Sequence, residues 1–462
     1  MSEPFAGNHL GTWWIPGVES NKVSGLLSFD ETGHATLELS GFLEQSSTLL
    51  PHPSREYPVL VGIDNRSLYY SLFECRLSRW TVTTGKQTSS ALVLRSEHVA
   101  AAIQVSSSIN DLIPSEVQLR SPMLADWWIA PGLDAQRNGT TVTQTQLTPT
   151  PVNLGTWGDT SLDLVCESII SHSQSGPRPV DTTRDTYLRM TSGTKHPTEY
   201  YIQLLDMICT FVAIAFRRLM DFPSVIANSE DQFVEFKPGR RLYLDIPILW
   251  PIRGCIMQGN GDAVTRLLSV ENQTSLLVRM LARWYSEYDH LEPIADTLLN
   301  SFQHPSLPRR ERFLAAVFAL EGLHRLSHNT PPCSTGEWKN KIDSIINPTA
   351  SPENQVWARN LLNSHNEPNL ITRLAQLCDE NRAFFGLDDT RRDKYAKETA
   401  RLRGKFAHSL SRSVHAKQDN VRLDVRTRQS ENLLLVSLFK YLGWDDADST
   451  GEWQGIGNTF EQ

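Results

Sequence analysis

The sequence predicts an α+β protein: a β-rich N-terminal part, an antiparallel sheet or sandwich with added helices, followed by an all-α helical bundle. Three observations carry that expectation. From Gly11 to about Leu119, apolar and polar residues alternate in short runs broken by turn residues, the pattern of half-buried antiparallel strands. After about Gly261 the apolar spacing changes to three and four, and the strand-like runs stop. With 462 residues, 40% apolar and 21% charged, the chain has the length for two or three domains and the balance of a globular protein.

Residues 25–30 and 35–40 alternate on both sides of Glu31-Thr32-Gly33, a hairpin signal. Further strands are expected at 58–63, 68–75, 80–84 and 90–94. Trp13, Trp14, Trp80, Trp127 and Trp128 suit core or sheet packing rather than a ligand cage. The stretch 136–155, rich in Thr, Gln, Pro and Asn, reads as loop or edge strand. A helix over 198–220, apolar on most sides, should be buried. Its longest apolar run, Leu204 to Phe216, contains Asp206 and Thr210 and falls short of the roughly 20 residues of a membrane span. Residues 237–250 alternate again through Leu242, Leu244 and Ile246.

Helical spacing then covers 276–288, 294–302, 309–327, 338–346, 355–362, 370–385, 390–411 and 426–442. A boundary is expected near Pro305 to Pro308, which gives an N-terminal domain over 1–306 and a helical domain over 307–445. An acidic, Gly-rich tail over 446–462 should be frayed. The six cysteines form no Cys-x-x-Cys pair and read as reduced thiols. The first residues lack a basic and an apolar signal region, so the expected address is cytoplasmic, with no membrane partner. Gly259-Asn260-Gly261 is too little to suggest a nucleotide site, and no Ser/His/Asp or Cys/His arrangement stands out.

The net charge of −8 argues against a protein that coats nucleic acid with its whole surface. Between Arg382 and Arg428, however, 13 Lys or Arg face 6 Asp or Glu, a local +7 that leaves −15 for the rest. Within this basic island lies a helix preceded by Asp388 and Asp389 as candidate caps. Tyr395, Thr399, Leu402, Phe406 and Leu410 form its inward face. Arg401, Lys405, His408 and Arg412 form a cationic one.

Metal-free RNA cleavage requires little more than a proton carrier and a phosphate ligand. The 2′-OH must lose a proton, charge on phosphorus must be neutralised, and the leaving 5′-oxygen must gain a proton. Histidine exchanges protons near neutral pH, and the planar arginine fork holds phosphate oxygens. An Arg-x4-His spacing is common by chance, so alone it reads as a surface histidine in a solubilising stripe.

Arg403-Gly-Lys-Phe-Ala-His408, late in a helical domain, resembles the Arg-x4–6-His signature of HEPN domains. Leu10-Gly-Thr-Trp-Trp-Ile-Pro-Gly17 and the run from Val23 to Asp30 are similar to the opening of the ApeA N-terminal domain. The stretch from Arg310 to Arg325 resembles the first helix of the ApeA-like HEPN domain. The resemblance implies a bacterial anti-phage protein of the abortive-infection type, with a sensing N-terminal domain, a phage-encoded trigger, no cofactor, and a homodimer or higher oligomer formed through HEPN domains. It implies His408 as the acid–base residue and Arg403 as the phosphate ligand on an RNA substrate, for which an abundant RNA such as tRNA suits growth arrest. Many such motifs carry Asn, Asp or His directly after the arginine, where this chain has Gly404. Arg401 also satisfies the spacing. It is retained with Lys405 and Arg412 as a supporting RNA contact.

Glu321, His324 and His328 share one helix at three- and four-residue spacing, as metal ligands can, but no matching Glu-x-x-His occurs elsewhere. A structural or RNA-adjacent role is favoured for them, and Glu321 is placed to orient Arg403 or His408. The competing class is a non-catalytic HEPN scaffold that binds RNA or protein.

Overall fold

The alternation of the first hundred residues becomes a closed barrel. β1 (Asn8–Trp14), β2 (Val23–Phe29), β3 (Ala35–Leu39), β4 (Glu56–Asp64), β5 (Tyr69–Thr83) and β6 (Ser89–Ser96) pair antiparallel in the order β5-β4-β1-β2-β3-β6. β6 then pairs with β5 as well, so the ring closes and leaves no open edge among these six. In β3, Ala35, Leu37 and Leu39 are buried while Glu38 is exposed, the period-two pattern of one core-facing side. The computed structural model describes residues 5–30, 34–44, 54–83, 89–96, 98–101, 108–128, 133–138, 141–146, 150–171, 181–221, 224–237, 240–250, 252–253, 255–256, 267–268, 270–303, 307–328, 331, 333–346, 351–363, 366–408, 416–448 and 453–460.

Trp13 fills the barrel interior with Leu27, Leu60, Tyr70 and Leu72. Its indole Nε1 donates to the Gly25 carbonyl at 3.3 Å. A Cβ at Gly62 would stand 2.1 Å from Trp13 Cε3, so the ring needs a glycine on the neighbouring strand. Of the five tryptophans expected to pack in the core or on the sheet, Trp13, Trp14, Trp127 and Trp128 are buried, whereas Trp80 stands on the surface of the sheet opposite Leu92 in β6. At the β4–β5 turn, buried Asp64 accepts from the N–H groups of Arg66 and Leu68 at 2.9 Å each and pairs with Arg66 Nε at 3.1 Å. Burial opposes its charge, but these donors outweigh it and hold the carboxyl below its usual value.

β7 (His98–Ala101) pairs with β5 and carries the ladder into a second set of strands. These are β8 (Glu116–Arg120), β11 (Val152–Trp157), β12 (Thr160–Ser171), β13 (Asp181–Ser192), β15 (Ser224–Lys237) and β16 (Arg240–Leu249), in the order β16-β15-β8-β13-β12-β11. The polar stretch contributes a two-stranded hairpin of β9 (Leu133–Asn138) and β10 (Thr141–Gln146). β14 (Met220–Asp221) and β17 (Cys255–Ile256) make a short parallel bridge, and α1 (Pro122–Trp127) is capped by Ser121.

α2 (Thr198–Phe216) stops four residues short of the expected end, where Arg217 turns left-handed at φ 54°. By length and composition it is apolar enough to cross a membrane, but most of its surface is buried inside this unit. α3 (Val270–Ser286) clamps it: Trp284 Nε1 donates to Met207 O at 3.0 Å and Tyr285 OH to Leu204 O at 2.8 Å.

The two compact units are Met1–Ser286 and Glu287–Gln462, so the division falls about twenty residues before the expected one. α4 (Tyr288–Gln303), expected to close the N-terminal domain, packs instead on α5 (Arg309–Ser327). The helical unit continues through α6 (Thr335–Ile345), α7 (Pro352–Asn363), α8 (Leu370–Glu380), α9 (Arg382–Phe385), α10 (Asp389–His408) and α11 (Ala416–Leu442).

The expected frayed tail is a correction. Trp453 and Ile456 are each 1% exposed, and Phe460 is buried as well. Trp453 stacks on Trp444 at 4.4 Å, and α12 (Gln454–Gly457) leads to Thr459, which accepts from Asn432 Nδ2 at 2.6 Å. Phe460 packs edge-on against Phe385 and Tyr395. These aromatics cover one side of the bundle, so burial overrides a composition that favours fraying.

Candidate active site

α10 starts as its sequence requires: Asp388 Oδ1 accepts from Arg391 N at 2.7 Å, a side-chain cap on an otherwise unpaired N–H. Tyr395 and Thr399 are fully buried and Leu402 nearly so, while Phe406 is half-buried, which matches the expected inward face. Leu410 and Arg412 lie outside the described residues, as does the side chain of His408. The backbone places His408 as the last residue of α10.

The basic island is partly neutralised. Arg382 and Arg392 both pair with Asp379 and Asp389, Arg391 with Asp388, and Lys397 with Asp393. Arg426 is buried against Glu398, with Nε to Oε2 at 3.1 Å. These pairs engage the N-terminal half of α10. Arg401 and Lys405, toward the other end, are exposed.

α5 runs antiparallel to α10 and fixes its C-terminal turns. Phe313 and Val317 form a small core with Leu402 and Leu423. Arg310 donates to the Phe406 carbonyl and lies over the Phe406 ring at 5.6 Å. Arg312 holds α11 through Glu431 Oε1 and Oε2 at 2.8 and 2.9 Å. Such a two-pronged pair fixes both position and direction.

Arg403 faces α5 rather than sharing the Arg401 and Lys405 side. Its Nη2 is 3.8 Å from Glu321 Oε1, and its guanidinium lies 5.2 Å from the Phe318 ring centroid. Nε is buried and has no hydrogen-bond partner among the described residues. Arg403 is therefore positioned by an aromatic and a distant carboxylate, with donor capacity remaining for an incoming oxyanion. A Cβ at Gly404 would meet nothing within 4 Å, so the polar side chain common at that position has room here.

Glu321 parts from His324 and His328, which stay together. His324 is buried, with Nε2 2.7 Å from Gln376 Oε1, and stacks on His328 at 4.4 Å. Burial pushes its imidazole below the ordinary 6.5, and nearby His328 and Arg373 act in the same direction against the Gln376 hydrogen bond. His328 pairs with Glu380 at 2.5 Å, whereas Glu321 turns to Arg403. Among the described residues, no three His, Cys, Asp or Glu side chains converge as metal ligands would.

Phe318 was not singled out by the sequence. An apolar residue in an amphipathic helix reads as core, yet Phe318 is 47% exposed beside the motif arginine. Only its contact with Arg403 distinguishes it.

A family model described as ApeA N-terminal domain 1 matches residues 8–252. A second, described as Apea-like HEPN, matches residues 314–448. No curated protein and no solved structure matches the chain.

Proposed function

As a member of the ApeA family, with an ApeA-like HEPN domain behind its N-terminal domain, we propose that this chain is an anti-phage endoribonuclease acting through Arg403 and His408. The observation that carries the reading is Arg403: a partly exposed guanidinium, held by Phe318 and Glu321, five residues before the motif histidine in the domain that matches the HEPN model. In the reaction, a histidine takes the 2′-OH proton and the 2′-oxygen bonds to phosphorus. The bond from phosphorus to the 5′-oxygen breaks, and a protonated motif histidine, of the same chain or of a second copy, gives its proton to the departing oxygen. The ends are a 2′,3′-cyclic phosphate and a 5′-OH, and no metal enters. Arg403 neutralises the developing charge on phosphorus, and Arg401, Lys405 and Arg412 steer the RNA backbone.

One His and one Arg per chain suit a cleft in which two copies pool their motif helices, so a homodimer or higher oligomer is part of the proposal. A phage product acting on the N-terminal unit would release the activity in the cytoplasm, and tRNA is a suitable target for growth arrest. The test follows survival and total-RNA integrity during phage challenge in cells expressing wild type, Arg403→Ala or His408→Ala at equal abundance. Discrete RNA fragments in wild type and none in either variant support the proposal. Protection that survives both substitutions, or uncut RNA in protected cells, favours the scaffold reading instead.

A further inference from the structure

Arg403 is not the only group at the motif with unused binding capacity. Phe318 is a large apolar side chain left 47% exposed, although its neighbours Val317 and Leu320 are fully buried. It lies between the Arg403 guanidinium and a groove of 440 Å³ formed by α4 and α5. The groove floor is made of small residues, Ala315, Ala319 and Gly322, with Ile294 and Pro293 opposite. A Cβ at Gly322 would meet nothing within 4 Å, so the surface beside the Phe318 ring is open. His290, Thr297, Leu326 and Arg325 complete the lining, and Arg325 pairs with Glu367 at 3.2 Å. An apolar floor with room for a planar group, beside the Arg403 guanidinium, suits a nucleobase attached to a phosphate chain.

We propose that Phe318 is a positioning residue on which a nucleobase next to the scissile phosphate stacks, while Arg403 holds that phosphate. This rests on the ribonuclease reading and specifies its substrate as unpaired RNA, since a base within a duplex cannot reach the ring. Aromatic stacking accepts any base, so the site fixes register along the strand rather than sequence. The arginine beside the ring strengthens the arrangement, because a guanidinium and a base can both use the aromatic system.

The test measures binding and cleavage of a short fluorescein-labelled single-stranded RNA by the full chain, as wild type, Phe318→Tyr and Phe318→Leu. The same RNA with one abasic ribose moved along its length is the second substrate. A half-exposed site tolerates both substitutions without unfolding. Phe318→Leu should weaken binding about tenfold. Because Phe318 also backs Arg403, KM should rise and kcat should fall in Phe318→Leu, and Phe318→Tyr should restore both. At one position, an abasic ribose should erase the difference between wild type and Phe318→Leu. Equal binding by wild type and Phe318→Leu, or a loss that no abasic position erases, overturns the base site and leaves the ribonuclease reading standing. A loss that tracks dissociation in sedimentation marks the groove as a contact between copies and overturns it too. If wild type neither binds nor cuts this RNA even with lysate of phage-challenged cells added as the source of the trigger, both readings fall.

Discussion

Arg403 has one carboxylate near it among the described residues, Glu321 at 3.8 Å, and that distance is long for an ion pair but short enough to bias the guanidinium. Removing it should free the side chain to sample unproductive directions. Glu321→Ala is expected to slow RNA cleavage about ten- to a hundredfold. Glu321→Gln, which can still accept a hydrogen bond, should retain part of the rate; an unchanged rate in Glu321→Ala removes the positioning role. Gly404 carries a different prediction. It sits inside α10 with free space where a Cβ would be. Gly404→Ala should therefore stabilise the helical unit by about 0.5–1 kcal/mol, raising its melting temperature by roughly 2 °C in calorimetry. At this scale the motif spacing was legible because helical periodicity alone relates residues three to five apart. Phe318 was not, because one-dimensional periodicity separates inward from outward but does not reveal which apolar residue the packing leaves uncovered.

Elements were legible where their periodicity was long. α5 appears over the residues its spacing predicts, and the hairpin around residues 31–33 appears in β2 and β3. Barrel closure was not visible, because it depends on β6 pairing with β3 and β5 together, a relation between distant segments. The C-terminal segment misled for a related reason: Asp, Glu and Gly make up seven of its 17 residues, while Trp453 and Phe460 pack against aromatic residues of α9, α10 and α11 that are distant in the sequence. Trp453→Ala should cost the helical unit about 3–5 kcal/mol, the range for a large aromatic removed from a packed core. Urea unfolding followed by circular dichroism checks this. A loss near zero would mean that the segment contributes no core.

Among the described residues, His9 in the barrel and His324 in the helical bundle are both buried. Burial is the largest influence on both and lowers each imidazole below 6.5. The unfolded chain therefore binds the proton first, so this contribution to stability is fully present above about 6.5 and declines as pH falls toward the lowered folded values. Urea midpoints of wild type should drop between about pH 7.5 and about pH 5.5. His324→Gln should flatten that slope in the helical unit while the barrel keeps it. The two-unit plan itself was legible from the change of spacing, but its boundary was not. Pro305 and Pro308 punctuate the chain convincingly, yet α4 belongs by packing to the helices that follow.

The most direct measurement is the chemistry of the RNA ends in phage-challenged cells, compared between wild type and His408→Ala. Cleavage through the motif predicts discrete fragments bearing 5′-OH and 2′,3′-cyclic phosphate ends in wild type, all absent in the variant. Fragments with 5′-phosphate ends, or the same fragments from His408→Ala, would contradict the account.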